Sequence, residues 1–278
     1  MSCVSNLSRV AERETDVVLS RLQWLKVGAL IGLMLTVSAC ATPPSDPVAR
    51  ADFERTNDPL EPMNRRILDF NLFMDRILIK PVAIGYRTVL PSYARDRMRN
   101  FLDNLNEPVI FINNGLQGEF KRADTTFARF IFNTTFGVGG LWDLASSQIG
   151  LEKQSGDFGQ TLYVWGVPDG PYLVLPILGP SNPRDAAGIV VDAYMDPWGY
   201  VAAQNGNRFT GVYRWLAQGI DERARNIESF DEIQKNAIDL YAQLRSLWRQ
   251  HRAAELRHGE PGPVEDEDLY TDPSPKKQ

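Results

Sequence analysis

The sequence predicts an all-α fold, and three observations carry that expectation. Apolar residues recur at helical spacing in the longer segments, as in Leu60, Met63, Ile67, Phe70, Met74 and Ile77, and far downstream in Ile233, Ala237, Leu240, Leu244 and Leu247. Start signals stand ahead of both runs: Asp58-Pro59 with Glu61, and Ser229 with Glu232. Proline and glycine interrupt the chain often enough that the helices must be short to medium. No internal repeat is visible, and nothing marks a second domain boundary between Asn57 and His258.

The first helix opens at Asp58, with Pro59 in its first turn, and is expected to run to about Ile79 and stop before Pro81. Leu68, Leu72, Phe73 and Ile79 lie off its main stripe, so it is apolar over more than one face. That implies burial on two sides or contact with lipid. After a short apolar segment to Leu90, Pro91 opens a basic helix with Arg95, Arg97 and Arg99 beside Asp96. Such runs are usually solvated faces, and this one could also lie against anionic headgroups. Asn106-Glu107-Pro108 predicts a break, followed by a short helix to Leu116 that Gly118 ends.

Phe130 to Asp185 is the least ordinary stretch. Asp124 to Phe136 reads as a helix rich in phenylalanine, and Gly137-Val138-Gly139-Gly140 follows it. The glycine spacing is not that of a dinucleotide loop, and no Lys-Ser/Thr follows as in a phosphate loop. A tight turn fits better, with Leu141 to Ser147 continuing as a helix. Between Gln160 and Pro183 only Asp169 is charged. Tyr172 to Leu175 is either a short buried strand or an irregular segment pinned by Pro171 and Pro176. Asn182 caps a helix to about Tyr194, and Asp196-Pro197 ends it. Arg208 to Ile227 is the next helix, and Ser229 caps a last long one. From Gly259 the chain turns to Glu, Asp and Pro, the composition of a disordered tail over 259–278.

Composition excludes some functions. The net charge is -5 and the pI near 5.2, which argues against nucleic acid as a partner. Only Cys3, Cys40, His251 and His258 are available as soft ligands or imidazole bases, so neither a zinc cluster nor a central Ser-His-Asp set can form. Glu107, Glu119, Asp124, Asp143, Asp157 and Asp169 are scattered acids beside turns or helix starts, where capping is the commoner role. Asp157-Phe158-Gly159 matches a kinase triplet with no other kinase part present. No enzyme, cofactor or metal is expected.

The N-terminus carries an address. Residues 27–39, VGALIGLMLTVSA, follow Arg21 and Lys26 and are too short for a comfortable membrane span. They end in Val37-Ser38-Ala39-Cys40, which resembles a bacterial lipobox, so residues 1–39 are expected to be a signal peptide and Cys40 the lipidated residue. The alternative is a plain signal peptide with a chance cysteine. The tether-like residues 40–56, beginning Cys40-Ala41-Thr42-Pro43-Pro44, favour lipidation, and the absence of Asp at position 41 resembles export to the outer membrane. Glu12, Glu14 and Asp16 are unusual in such a leader, which suggests a translation start after Met1.

Several motifs together resemble the MlaA (VacJ) family of outer-membrane lipoproteins. They are Asn57-Asp58-Pro59-Leu60-Glu61-Pro62-Met63-Asn64-Arg65, Arg129-Phe130 with Asn133 through Asp143, Asp157 through Leu162 with Trp165-Gly166-Val167, and Gly170 through Pro176 with Gly179-Pro180-Ser181 and Arg184-Asp185. The resemblance covers about Asn57 to Glu228, within a single helical domain expected over 57–258. It implies an irregular helical ring or bundle embedded in the inner leaflet of the outer membrane. Through an amphipathic channel, such a protein would remove phospholipid from the outer leaflet and pass it to a periplasmic carrier protein. A trimeric porin is the implied membrane partner. Apart from the resemblance, Gly137, Gly139 and Gly140 are either a hinge or rim of such a channel or a passive tight turn. The other classes are a lipoprotein that scaffolds a porin without moving lipid, and a lipid-modifying enzyme.

Overall fold

The computed structural model describes residues 58–207 and 209–258. The expected signal peptide, the expected lipidation site Cys40, the expected tether and the expected disordered tail lie outside the described residues. The described residues from Leu60 onward form one compact unit. Its elements are α1 (Glu61–Met74), α2 (Lys80–Val89), α3 (Ser92–Leu116), α4 (Phe120–Thr135), α5 (Leu144–Ile149), α6 (Phe158–Val164), strands β1 (Leu173–Leu175) and β2 (Gly179–Ser181), α7 (Pro183–Met195), α8 (Pro197–Gln204), α9 (Thr210–Arg225), α10 (Ile227–Asn236) and α11 (Leu240–Leu256). The all-α expectation holds, with one two-stranded antiparallel hairpin added, in which Val174 pairs with Pro180.

The prolines account for two corrections. α1 begins at Glu61, with Leu60 in the cap position, and does not stop before Pro81. A π-helical turn over Asp75–Ile79 carries the chain straight into α2, with the Lys80 amide donating to the Asp75 carbonyl. Proline lacks a donor, and its ring crowds the carbonyl four residues back. The widened turn ahead of Pro81 takes up both defects. Pro108 likewise fails to break α3, which runs unbroken over 25 residues. There, tertiary partners occupy the disturbed turn: Trp198 Nε1 donates to the Leu105 carbonyl, and Arg214 to Asn106 Oδ1, at 3.0 and 2.6 Å.

Other boundaries follow from caps. α5 starts at Leu144, not Leu141, because Asp143 accepts from the Ser146 amide. α6, which the breaker-rich sequence hid, starts where Asp157 accepts from the Gln160 amide. Asn182 caps α7 as expected, and Asp196 both ends α7 and caps α8 by accepting from Trp198 and Gly199 amides. The last long helix is two helices. The chain turns extended at Ala237 and restarts with Asp239, which caps α11 while Arg65 holds its carboxylate at 3.0 and 2.6 Å. Only part of the expected seam then packs inward: Leu244 joins the core, while Leu247 is exposed.

The core is small. Leu68, Tyr172, Val174 and Tyr241 form its centre, with Tyr172 edge-on to Tyr241 at 5.8 Å and tilted against Trp248 at 5.5 Å. Asn64, fully buried, sews this centre together. Its amide nitrogen donates to the Tyr172 carbonyl and Tyr241 Oη, and its oxygen accepts from the Val174 amide, at 2.9, 3.2 and 2.9 Å. One side chain thus joins α1, the hairpin and α11. Asn64→Ala leaves the Val174 amide without an acceptor, so the expected loss is about 2–4 kcal/mol of unfolding free energy, measured by urea denaturation.

Candidate functional site

The distribution of polarity is inverted. Among the described residues, eighteen buried residues are polar or charged and ten are apolar. Large apolar side chains stand outside, including Phe73, Val89, Phe120, Phe136, Trp165 and Tyr194. Ordinary soluble domains bury apolar side chains in preference to polar ones, so the buried polar majority is the informative feature. α4 displays the pattern on one helix: Ala123, Thr126, Arg129 and Asn133 face inward, while Phe127 and Ile131 face outward. An open, mainly apolar groove of about 620 Å³ also lies between α1 and Pro176, with Arg66 at its edge.

The glycine turn sits at the end of α4. Gly139 and Gly140 donate to the Thr134 and Asn133 carbonyls, and Trp142 to the Gly137 carbonyl, at 3.0, 2.9 and 3.0 Å. Val138, Gly139 and Gly140 all have positive φ (54°, 70° and 94°). A Cβ on Gly137 would lie 2.3 Å from the Trp142 carbonyl oxygen, and one on Gly140 2.4 Å from Asn104 Cβ. A Cβ on Gly139 would meet nothing within 4 Å. The three glycines therefore differ: two permit close packing, and the third has open space around it.

Beneath the turn lies a buried ionic group. Arg129, 2% exposed, donates to Glu107 Oε1 at 3.1 Å, to Asp143 Oδ2 at 3.0 Å and to the Leu151 carbonyl. Asn133 Nδ2 donates to Asp143 Oδ1 at 2.9 Å, and Asn133 Oδ1 accepts from the Ala145 amide. Asn104 Nδ2 donates to Thr134 Oγ1 at 2.9 Å, at the foot of the turn. Burial pushes the Glu107 carboxyl up to about 6, against the pull of Arg129. Burial also acts to raise Asp143, but donors from Asn133, Arg129 and the Ser146 amide outweigh it and hold this carboxyl below the ordinary aspartate value.

A second ionic group joins three helices. Arg252 of α11 donates to both oxygens of Asp157 and both oxygens of Asp185, at 2.8–3.0 Å, and to Glu255 at 2.9 Å. Gly159 is needed there, since a Cβ would lie 2.5 Å from Asp185 Oδ1. Asp157-Phe158-Gly159 is thus a cap, a half-buried ring edge-on to Trp165, and a close-approach glycine.

Of the other acids singled out above, Glu119 stands in the cap position of α4 without a side-chain cap bond, and Asp124 and Asp169 are exposed. Ser155 Oγ accepts from Arg122, Ser181 Oγ donates to the Asn182 carbonyl, and solvent-facing His251 lies 3.3 Å from Glu255. The described residues contain no group of three or more His, Cys, Asp or Glu able to hold a metal ion. No helix among them is long and apolar enough to cross a membrane. Sequence reasoning missed the pairing of Arg129 and Arg252 with the capping aspartates; the only local trace is an acid at each helix start.

Fold and site together define a class: a helical protein with its ionic groups packed inward and its large apolar side chains outward. Residues 56–255 match the family model for the MlaA lipoprotein, and the chain belongs to that family. It is 36% identical over 208 residues to the intermembrane phospholipid transport system lipoprotein MlaA of Haemophilus influenzae, covering 73% of this chain and 80% of that protein. Against the Escherichia coli K12 protein of the same name, identity is 32% over 245 residues, with 87% and 92% covered. A Rickettsia felis protein of uncharacterised function is 35% identical over 204 residues, covering 73% and 79%. A solved structure described as the structural basis for maintenance of bacterial outer membrane lipid asymmetry aligns with TM-score 0.64 and 32% identity, covering 72% of this chain and 99% of that one.

The raised Glu107 carboxyl gives a pH test. The folded state binds this proton more tightly than the unfolded chain, so the contribution is fully present below about pH 4.5 and is lost as pH rises through about 6. Glu107→Gln should remove about 2 kcal/mol of that pH dependence, read as the difference between variant and wild type in urea midpoints across the window. Asp192, also raised by burial, contributes in the same direction to both proteins and cancels in the difference.

Proposed function

We propose that this chain is an outer-membrane lipoprotein, anchored through Cys40, that takes mislocalised phospholipid from the outer leaflet and delivers it to a periplasmic carrier protein. It would act beside a trimeric porin and leave the lipid chemically unchanged. The observation that carries the reading is the inversion of polarity: apolar side chains outside suit acyl chains, and polar groups inside suit a headgroup path. The names of the Haemophilus and Escherichia relatives support the same assignment.

In this reading Gly137, Gly139 and Gly140 form the rim that a headgroup passes. The polar groups below the turn, Asn104, Glu107 and Arg129, hold that rim against α3 and α4. A lipid phosphate moving past the turn meets backbone without side chains at Gly139. The acyl chains follow the apolar outer faces, so neither part of the amphiphile enters a medium that rejects it.

The test is transfer of labelled phospholipid from vesicles holding the full lipidated protein and porin to the soluble carrier. Transfer of chemically intact lipid supports the proposal. Porin binding without transfer would instead leave a scaffold, and altered lipid would indicate an enzyme. Within the same assay, Gly139→Phe should slow transfer. Gly139→Asn, which tolerates the left-handed backbone, should transfer at close to the wild-type rate. Both variants should retain the fold, with a backbone cost of at most about 1–2 kcal/mol, because no atom crowds the new Cβ.

A further inference from the structure

The basic start of α3 holds two arginines, Arg95 and Arg97, whose Nε atoms are each buried without a partner, and of the two Arg97 lies over aromatic rings. Arg65, Arg87, Arg129, Arg214, Arg223, Arg225 and Arg252 each have a carboxylate within hydrogen-bonding distance. Arg97 has none among the described residues, and its Nε is buried without a partner. Asp96, its neighbour in sequence, is already held by Arg225 at 2.9 Å. In place of an acid, Arg97 has two rings: its guanidinium carbon lies 5.0 Å from the centre of Tyr93 and 5.5 Å from that of Trp142.

We propose that Arg97, Tyr93 and Trp142 form a recognition site for the phosphate of a phospholipid headgroup. Ring contacts hold a guanidinium but satisfy none of its N–H donors, so the Nη groups of Arg97, unlike its buried Nε, remain for an oxyanion. The planar fork of donors matches phosphate oxygens better than a lysine ammonium does. Trp142 is fixed relative to Arg97 from two sides. Its amide donates to the Gly137 carbonyl, and Asn100 of α3 donates to the adjoining Leu141 carbonyl at 3.3 Å. Both rings are also partly exposed, Tyr93 at 60% and Trp142 at 36%. Tyrosine and tryptophan bridge apolar and aqueous phases, and exposed Val89, Phe136 and Val138 supply the apolar side. The site adjoins the glycine turn, so the cation stands where a headgroup would wait before passing the rim.

This inference rests on the transport reading, and its test separates the two. The full chain in a non-ionic detergent is titrated calorimetrically with dihexanoyl phosphatidylglycerol, with inorganic phosphate and with phosphate-free dihexanoylglycerol. Wild type is expected to bind the phospholipid and to bind inorganic phosphate far more weakly. Arg97→Gln should weaken phospholipid binding by about tenfold to a hundredfold and leave dihexanoylglycerol unaffected, as loss of a charged hydrogen-bonding group predicts. Arg97→Lys should recover part of the loss, because the charge returns without the fork. Thermal melting should fall by at most about 2–4 °C in either variant, since Arg97 gives up ring contacts but no ion pair. Equal phospholipid binding by wild type and Arg97→Gln overturns the site while leaving the transport reading intact. Inorganic phosphate bound as tightly as the phospholipid overturns the headgroup assignment. No phospholipid binding by wild type overturns the transport reading itself.

Discussion

A guanidinium removed from water must find carboxylates, and this constraint fixes the described structure. The cost of leaving one unpaired in a low-dielectric interior is several kcal/mol, so Arg129 and Arg252 dictate where their partners stand. Arg252 needs Asp157 and Asp185 together, and each aspartate lies in the first turn or at the cap of a different helix. The starts of α6 and α7 are thereby brought to one point on α11. Gly159 and Gly188 then let α6 and α7 approach until a Cβ on Gly188 would sit 2.5 Å from the Gly159 nitrogen. Arg129 does the same for α3, α4 and the start of α5. Such pairs define geometry more than they add stability, because the attraction between partners largely offsets their desolvation.

The outside follows from the inside. With polar groups consumed internally, the helices have mainly apolar side chains left for their outer faces. In water that arrangement would favour aggregation; against lipid it has little cost, because acyl chains are as apolar as leucine. Among the described residues no helix is long and apolar enough to cross a membrane. The family assignment and the outward apolar side chains agree with the lipid contact proposed for this chain.

Much of this was legible in the sequence, and the parts that were not share a cause. Helix starts at Asp143, Asp157, Asn182 and Asp196 are local events, and each carries a local capping residue. The glycines were legible as turn formers but not as three different positions, since the clash at Gly140 depends on Asn104, thirty-six residues earlier by numbering. Pro81 and Pro108 were misread because a register shift absorbs the first, and at the second Trp198 donates to the Leu105 carbonyl beside the disturbed turn. Arg97 was visible only as one of a run of arginines. What distinguishes it is Trp142, which the fold delivers from another segment.

Those distinctions bear on whether the glycine turn acts as a hinge or a rim. A hinge needs residues whose dihedral angles can change without losing packing or hydrogen bonds. Gly137 and Gly140 do not meet that condition: their lack of a side chain is already used by contacts with Trp142 and Asn104, and the Gly140 amide is bonded to the Asn133 carbonyl. Asn133 is in turn held by Asp143, which Arg129 anchors, so rotating the turn as a whole would disturb a buried ionic group. Gly139 has the space, but its amide too is committed, to the Thr134 carbonyl. The turn is therefore stiff along its length, with one open position at its tip. Stiffness of this kind is what the proposed rim requires, and it does not suit a loop that opens and closes.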